Sequence, residues 1–314
     1  MMKLLTHERH WDGGKTVVAF GMFDGVHEGH AELMRRANFL GFKYHLPSVV
    51  YTFSTHPIAT FAPERVPPQL DTRSERIQSI ARTGVNVAVL RPFDRAYASL
   101  SPEDFVRSFC EALHPAHVVI GFNYSFGAKG AGRAEDKIRF GKKYGFETHV
   151  VDEVTVNGAP VSSTRIRALV ARGEMLEAMA LLSRPYQLCG VVRPGKQLGR
   201  KLDFPTANLS YPAGKALPPC GVYAARATLR GKQYIAAVNI GSHPTAPGGG
   251  ETIEANLIEY DGGDCYGCHM RLALYKQIRA ERKFESLDAL REEVLRNREQ
   301  VIAFFDEFDA PIQF

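Results

Sequence analysis

The sequence predicts an α/β domain with a doubly wound parallel sheet, followed by a smaller β domain that ends in a helix. Strand-like and helix-like segments alternate over residues 1–150, which is typical of a parallel sheet with helices on both faces. Short strands separated by Gly and Pro occupy residues 187–279, which favours a small barrel or sandwich. The pattern changes near residues 183–186, so the predicted domains are 1–185 and 186–314.

Short apolar runs and capping signals define the elements of the first domain. Predicted strands are residues 16–20, 48–53, 85–90 and 117–120, and predicted helices are residues 31–37, 73–82 and 101–113. The last of these helices has Ser101 as N-cap and Pro102 at its first position. Because ligands of such sheets bind beyond the carboxyl ends of the strands, the loops after the strands are the first candidates for a site.

Turn residues and periodicity define the second domain. A helical pattern over residues 162–182 is interrupted at Gly173. The predicted strands are residues 221–229 and 233–240, which form a hairpin, and residues 252–260 and 270–278, the last with Leu272, Leu274 and Ile278 on one face. Ser286 caps a predicted helix over residues 287–308, whose apolar stripe is Leu290, Val294, Ile302 and Phe305.

The composition is that of an ordinary globular protein. Of 314 residues, 45% are hydrophobic and 23% are charged, and the net charge is +5, which excludes a collagen, a coiled coil and a wholly disordered chain. The basic residues are scattered, which argues against a nucleic-acid partner and favours an enzyme of phosphate-bearing substrates. No signal-peptide core or membrane-length apolar run occurs, so we expect a cytoplasmic protein without a membrane partner.

One cysteine motif matches the C-x-x-C-H pattern of c-type haem attachment, Cys265-Tyr266-Gly267-Cys268-His269. That chemistry normally takes place outside the cytoplasm, and no second ligand pair lies at zinc-finger spacing. We interpret the match as chance within a turn between two strands, and a haem electron carrier is the alternative. The five cysteines are expected to be free thiols.

The strongest chemical signal joins the first strand to the first helix, in Gly21-Met22-Phe23-Asp24-Gly25-Val26-His27-Glu28-Gly29-His30. Its glycines allow a ligand to approach the backbone, and a helix start favours an anion. His27 and His30 can donate to a phosphate there and stabilise charge that develops on it. The alternative is a Gly-rich turn with two surface histidines.

Three further segments can hold phosphate or a metal ion. Ser162 to Arg167 puts hydroxyls and arginines at a helix start, for phosphate or as an ordinary N-cap. Residues 195–200 form a Gly-spaced basic loop that suits phosphate but is not a P-loop. Thr206 and Asn208 share one side of an extended segment, where their oxygens suit Mg²⁺ or satisfy a turn.

Glu254 is a candidate general base. Strand alternation puts it opposite Ile253, Ala255 and Leu257, and a carboxylate there could accept the proton of a substrate hydroxyl. Taken alone, the pattern fits a solvated strand glutamate better.

Together, these motifs resemble the HxGH-type nucleotidyltransferases, and more closely the adenylyltransferase module of bacterial bifunctional riboflavin kinase/FAD synthetases. Residues 52–57, 91–94 and 121–127 each follow a predicted strand and extend the resemblance. It implies that His27 and His30 contact the ATP phosphates. The other nucleotide-binding residues that it implies here are Gly21, Phe23, Asp24, Gly29, Asn123, Ser162, Ser163, Thr164 and Arg167.

The second half resembles riboflavin kinases in the order of its motifs, which are residues 195–200, 205–208, 221–224, 239–241, 254 and 279–284. The resemblance implies a six-stranded barrel with a C-terminal helix. It also implies the roles of six residues: nucleotide binding by Gly195, Gly199 and Arg200, Mg²⁺–ATP binding by Thr206 and Asn208, and proton abstraction by Glu254. The sequence departs from the family pattern at Ala31, Thr55, Asp203 and Asn256.

The resemblance covers nearly the whole chain and implies two sequential reactions. Riboflavin and ATP would give FMN in the second domain, and FMN with a second ATP would give FAD and pyrophosphate in the first, with Mg²⁺ as cofactor. The alternatives are a riboflavin kinase with an inactive first domain, a different nucleotidyltransferase, and a non-catalytic flavin- or nucleotide-binding regulator. The sequence leaves open whether the chain forms a homo-oligomer.

Overall fold

The computed structural model describes residues 2–194, 205–243, 250–261 and 263–309. The chain divides into two compact units, Met1–Ser163 and Thr164–Phe314. Three residues predicted to bind nucleotide lie outside the described residues: Gly195, Gly199 and Arg200. In the part that the structure describes, no helix combines the length and the hydropathy that a membrane crossing requires.

A parallel sheet organises the first unit. Its six strands are β1 (Lys3–Leu5), β2 (Thr16–Phe20), β3 (Ser48–Phe53), β4 (Val87–Arg91), β5 (Pro115–Gly121) and β6 (Glu147–Val151). They lie in the order β1-β4-β3-β2-β5-β6, and every pair is parallel. All five residues of β2 are buried, as a strand covered on both faces requires.

Helices cover both faces of this sheet, and the α/β class predicted for this half is confirmed. They are α1 (Glu28–Tyr44), α2 (Arg73–Arg82), α3 (Arg95–Ala98), α4 (Pro102–Leu113) and α5 (Ala134–Tyr144). One apolar cluster joins Met34 of α1 and Ile80 of α2 to one face, and a second joins Phe109 of α4 and Phe140 of α5 to the other. Strand β2 lies between β3 on one side and β5 on the other, so the strand order reverses between β2 and β5. The loops after these two strands flank this switch point, where ligands of such sheets bind. A two-stranded hairpin, β7 (Thr155–Val156) and β8 (Ala159–Pro160), follows β6.

Capping residues begin α2 and α4 where the sequence predicts, whereas α1 begins at Glu28, three residues before the predicted stretch. Ser101 accepts the N–H of Asp104 at 3.1 Å at the start of α4. Thr72 and Glu75 form a reciprocal capping box at the start of α2, in which each side chain accepts the backbone N–H of the other residue.

A closed antiparallel barrel forms the core of the second unit, which confirms the predicted barrel. It is preceded by α6 (Ser163–Arg172) and α7 (Met175–Leu182). Its strands are β9 (Tyr186–Arg193), β10 (Ala207–Ser210), β11 (Gly221–Leu229), β12 (Lys232–His243), β13 (Gly250–Leu257) and β14 (His269–Ala280), in the order β10-β13-β12-β11-β14-β9, and the last helix is α8 (Leu287–Phe308). The C-x-x-C-H motif lies in the turn that leads into β14, and His269 is the first residue of that strand. All five cysteines are free thiols, as expected.

Helix α8 packs on the outer face of the barrel. The predicted faces of two side chains, Ile302 in α8 and Ile278 in β14, were wrong. Val301 is buried against that face, whereas Ile302 of the predicted stripe is exposed. Val301 follows Val294 by seven residues, two helical turns, and so occupies the inward position. Two bulges in the pairing of β14 with β11 shift its alternation, and Ile278 therefore packs on the outer cluster with Val301 rather than with Leu272 inside the barrel.

Candidate active sites

A cavity of about 560 Å³ opens at the carboxyl edge of the parallel sheet. Its polar wall comes from the loops after β2 and β5 and from the residues that lead into α6. Seven of the predicted site residues line it: Gly21, His27, Gly29, His30, Asn123, Ser162 and Ser163. The fold therefore brings three segments that are far apart in the sequence to the switch point of the sheet.

His27 and His30 form a stacked pair at the start of α1. Their ring centroids are 3.7 Å apart and their planes differ by 17°. Nδ1 of His27 accepts the backbone N–H of His30 at 3.4 Å, so the His27 proton lies on Nε2, which can donate to a ligand. Burial, with a smaller contribution from His27, holds the pKa of His30 well below its usual 6.5. Among the described residues, none forms a hydrogen bond with the buried Nδ1 of His30.

The turn before α1 has a strained and compact backbone. Phe23 and Val26 have φ angles of 52° and 38°, in the left-handed region that costs such residues about 1–3 kcal/mol each. A Cβ on Gly21 would lie 2.8 Å from the Phe23 ring, and a Cβ on Gly29 would lie 3.3 Å from the His27 ring. Both glycines are therefore needed for the close approach of these rings to the backbone.

Asp24 anchors this turn and does not line the cavity. Its carboxylate accepts the backbone N–H groups of Leu70 at 3.2 Å and of Asp71 at 3.0 Å. Its carbonyl accepts the hydroxyl of Ser163 at 2.9 Å. One residue thus connects the turn after β2 with the loop before α2 and with Ser163.

Three other predicted nucleotide-binding residues are not in the wall of this cavity. Phe23 is completely buried. Thr164 and Arg167 belong to the second unit, where Thr164 is exposed and Arg167 is half-buried. Direct contact between these residues and a nucleotide remains a prediction.

The apolar wall of the cavity is aromatic, and the sequence analysis gave its rings no role, although four of them lie in the segments 52–57, 91–94 and 121–127 that extend the resemblance. Its rings belong to Phe20, Tyr51, Phe53, Phe93, Tyr97, Phe105, Tyr124 and Phe126. Some neighbouring rings meet edge to face, as Phe53 and Phe93 do with centroids 4.9 Å apart and planes at 73°, and others are stacked, as Tyr124 and Phe126 are with planes at 18°. Such a wall suits a planar aromatic ligand. The rings come from several separate segments, so no local spacing in the sequence reveals them.

Arg76 is a second feature that the sequence did not reveal. Its guanidinium is buried and donates to the carbonyl oxygens of Phe53 at 2.7 Å, Ser54 at 3.2 Å and Met22 at 3.4 Å. Burial lowers its pKa, while Asp24 opposes that shift. Arg76 thereby fixes the loops after β2 and β3 relative to each other.

A second cavity, of about 280 Å³, lies between the outer face of the barrel and α8. Thr206, Asn239, Glu254 and Asn256 line it on the barrel side. Glu254 is half-buried on this face, whereas Ile253, Ala255 and Leu257 are buried on the opposite one, as alternation predicts.

Strand pairing sets the residues around Glu254 in a row across the outer face. In order of pairing, the row is Arg193, Asn208, Glu254, Asn239, Val222 and Arg279. Directly opposed residues have Cβ atoms about 4.5–5.5 Å apart and point to the same face. The predicted base therefore lies between two amide side chains, one of which is the predicted metal ligand Asn208.

Thr206 and Asn208 supply oxygen donors near this carboxylate. Thr206 lines the cavity, whereas Asn208 is half-buried beside Glu254 and is not in the cavity wall. Nδ2 of Asn256 donates to the carbonyl of Pro205 at 3.1 Å, which fixes the chain just before Thr206. Hydroxyl, amide and carboxylate oxygens are the hard donors that Mg²⁺ prefers, so these residues fit that ion.

Two buried polar residues of α8, Glu293 and Asn297, bind arginine side chains at the edge of the second cavity. Glu293 accepts from Arg279 at 3.1 Å and from Arg296 at 3.2 Å, and it also pairs with Arg282. Asn297, one turn further on, accepts from Arg279 at 3.0 Å. Burial lowers the pKa of Arg279, and Glu293 opposes that shift. The predicted apolar stripe of α8 did not include these two polar positions.

Comparisons with known proteins agree with this division into two sites. Residues 10–165 match the family described as FAD synthetase, and residues 182–305 match the family described as riboflavin kinase. The bifunctional riboflavin kinase/FMN adenylyltransferase of Bacillus subtilis is 32% identical over 96% of this chain and 97% of its own. That of Escherichia coli K12 is 33% identical over 92% of each.

A solved structure extends the similarity to three dimensions. It is a chain from Streptococcus pneumoniae, described as a macrolide-efflux protein, with 31% identity and a TM-score of 0.86. The match covers 95% of this chain and 97% of that one. With two domain families in this order and relatives that match nearly end to end, the chain belongs to the bifunctional riboflavin kinase/FMN adenylyltransferase family.

Proposed function

We propose that the chain phosphorylates riboflavin with ATP to give FMN, and then transfers AMP from a second ATP to FMN to give FAD and pyrophosphate. The observation that carries the proposal is that each family match contains its own cavity, lined by residues suited to the corresponding reaction. We assign the adenylyltransferase domain to residues 1–185 and the kinase domain to residues 186–314.

In the kinase reaction, Glu254 accepts the proton of the riboflavin 5′-hydroxyl while that oxygen attacks the γ-phosphorus of ATP, and ADP leaves. The half-buried position of this carboxylate in the cavity wall, between two amides, supports the role. Thr206 and Asn208 would hold Mg²⁺, which neutralises phosphate charge when it is bound. Gly195, Gly199 and Arg200 are assigned to the phosphates of this ATP by resemblance.

In the adenylyl transfer, an oxygen of the FMN phosphate attacks the α-phosphorus of ATP, and pyrophosphate leaves. A phosphate monoester has a second pKa of about 6, so near pH 7 the attacking group needs no general base. His27 and His30 therefore act as polar groups that bind and stabilise the phosphates at the start of α1. We assign the aromatic wall to the flavin ring, and Asn123, Ser162 and Ser163 to polar contacts with the nucleotides.

The experiment is chromatography of the products after incubation of the purified chain with ATP, Mg²⁺ and either riboflavin or FMN. FAD in both reactions is the expected result. FMN alone from riboflavin, with supplied FMN unchanged, would reduce the proposal to a kinase with an inactive first domain. Absence of product in both would contradict it and favour a binding protein.

A further inference from the structure

His117, Glu147 and His149 form a cluster at the end of the parallel sheet that lies away from the nucleotide cavity. Strands β5 and β6 are parallel neighbours, and His117 pairs directly with Glu147. Because side chains alternate along a strand, His149 lies on the same face of β6 as Glu147. One donor atom from each of the three residues lies within 4.8 Å of the other two.

The separations within this cluster are those of ligands around one metal ion. Nδ1 of His117 is 3.1 Å from Nε2 of His149. The Glu147 carboxylate lies 3.5 Å from that His117 nitrogen and 3.7 Å from that His149 nitrogen. Tetrahedral zinc with bonds of about 2.0–2.1 Å separates its ligands by roughly 3.3–3.4 Å, which is within the observed range.

A shared proton between the two imidazoles would account for only part of this arrangement. It explains the 3.1 Å between His117 and His149, but it gives the carboxylate no role. The Glu147 side chain is 63% exposed, and yet its oxygens approach the same two nitrogen atoms. A cation bound by all three groups accounts for the convergence.

The surroundings orient the imidazoles and contribute charges of both signs. Tyr44, the last residue of α1, stacks on His117 with centroids 4.4 Å apart and planes 24° apart. A helix C-terminus carries partial negative charge and favours a cation. Lys43 acts on both histidines and Arg36 on His149, and these positive charges weaken cation binding. Burial lowers the pKa of both imidazoles, and Glu147 opposes that shift.

We propose that His117, Glu147 and His149 bind one divalent transition cation of the zinc class. Two imidazoles with one carboxylate form a known zinc ligand set, in which the fourth position is open, and imidazole favours zinc over magnesium. Four residue steps along extended β5, roughly 13 Å at 3.3 Å each, separate His117 from Gly121 in the cavity wall. The ion therefore joins the edge strand β6 to β5 and takes no part in adenylyl transfer.

The test is a calorimetric titration of the metal-free full chain with zinc chloride, with a parallel titration with magnesium chloride. The unfolding temperature of the chain is then measured in the presence of each metal. One zinc ion per chain at micromolar concentration, together with a higher unfolding temperature in zinc than in magnesium, is the expected result. Glu147→Gln removes the negative charge of an exposed side chain with little risk to the fold, and we expect it to weaken zinc binding at least tenfold. His149→Gln should remove saturable binding.

Two control variants separate this cluster from other histidines. His114→Asn changes an exposed, left-handed helix cap near His117, a conformation that Asn tolerates, and it should bind zinc like the parent chain. His30→Asn should also keep one ion per chain. Unchanged binding in His149→Gln, loss of binding in either control, or no saturable binding in the parent chain would overturn the proposal.

Discussion

Asn208 and Glu254 are directly opposed across two antiparallel strands of the barrel. Their pairing brings an amide side chain next to a carboxylate on the outer face, and Asn239 flanks the same carboxylate from the other side. The group that we assign as proton acceptor is thus held by sheet register rather than by a loop. The position of this carboxylate is therefore set by the barrel.

Glu254→Gln should separate the two activities. The amide keeps the shape of the side chain and cannot accept the proton, so we expect FMN formation to fall by about 10²–10⁴-fold, while FAD formation from supplied FMN is unchanged. Product chromatography measures both. Glu251→Gln, an exposed position on the same strand, is the matched control and should keep both activities. Loss of both activities in folded Glu254→Gln would contradict two independent sites.

His30→Asn should have the opposite selectivity. It removes a ring that stacks on His27 and lines the first cavity, so we expect FAD formation to fall by about 10²–10³-fold and riboflavin phosphorylation to continue. The control is His45→Asn, an exposed cap at the far end of α1 in a left-handed conformation that Asn tolerates. Equal loss of adenylyl transfer in both variants would argue that the helix, and not the imidazole, matters.

Gly29→Ala tests whether the position of the histidine pair matters as well as its presence. The new methyl would lie 3.3 Å from the His27 ring, so the ring must shift, and a displacement of 1 Å can cost about 10²-fold in rate. Alanine is also the better helix former by about 0.8–1.0 kcal/mol, so thermal stability should not fall. Gly14→Ala, with no atom within 4 Å of the added carbon, should leave the rate of FAD synthesis unchanged.

Lys137 is a buried cationic side chain within an aromatic cluster. It is completely buried in α5, with its Nζ 4.3–4.5 Å from the ring centroids of Phe20, Phe105, Phe109 and Phe126. No described residue hydrogen-bonds to that nitrogen. Burial holds the pKa of Lys137 well below its usual 10.5, which means that the unfolded chain binds the proton more tightly than the folded chain.

We therefore expect Lys137→Met to be more stable than the parent chain at pH 7, by about 1–3 kcal/mol. Between the folded pKa and 10.5, the unfolded state carries more protons, so the free energy of unfolding of the parent falls as the pH is lowered through that window. The advantage of Lys137→Met should shrink as the pH rises from 7 to 10. Urea unfolding at both pH values measures it. A variant less stable at pH 7 would mean that attraction between the ammonium and the rings outweighs desolvation.

Local signals in the sequence predicted most elements, and their limits are physical. The bounds of α2 and α8 agree with prediction because a capping residue begins each helix. The bounds of β3 agree because β-branched and aromatic residues, which favour strands, predominate in it. Strands β1 and β6 gave no such signal. They are edge strands, and Lys3, Glu147 and His149 interrupt their apolar pattern.

The two sites differed in how far the sequence could predict them. Polar residues of the first cavity lie in short motifs at strand ends, where topology predicts a ligand. Arg76 and four rings of the aromatic wall, Phe20, Tyr51, Tyr97 and Phe105, lie outside those motifs and resemble ordinary core or surface residues until the chain is folded. In α8, Glu293 and Asn297 are buried because they bind arginine, and no helical periodicity of apolar residues can indicate that.

The closed barrel carries Glu254 on its outside while Ile253 and Ala255 fill its inside. Alternate residues of β13 are therefore under different constraints. The inward residues must pack the barrel, and the outward residues face the second cavity. Substitutions at the inward positions can therefore be used to raise thermal stability, and substitutions at the outward positions to accept a riboflavin analogue. Each set should have little effect on the other property. The period of two in a single strand therefore allows the core of the barrel and the residue that we assign as its base to be changed separately.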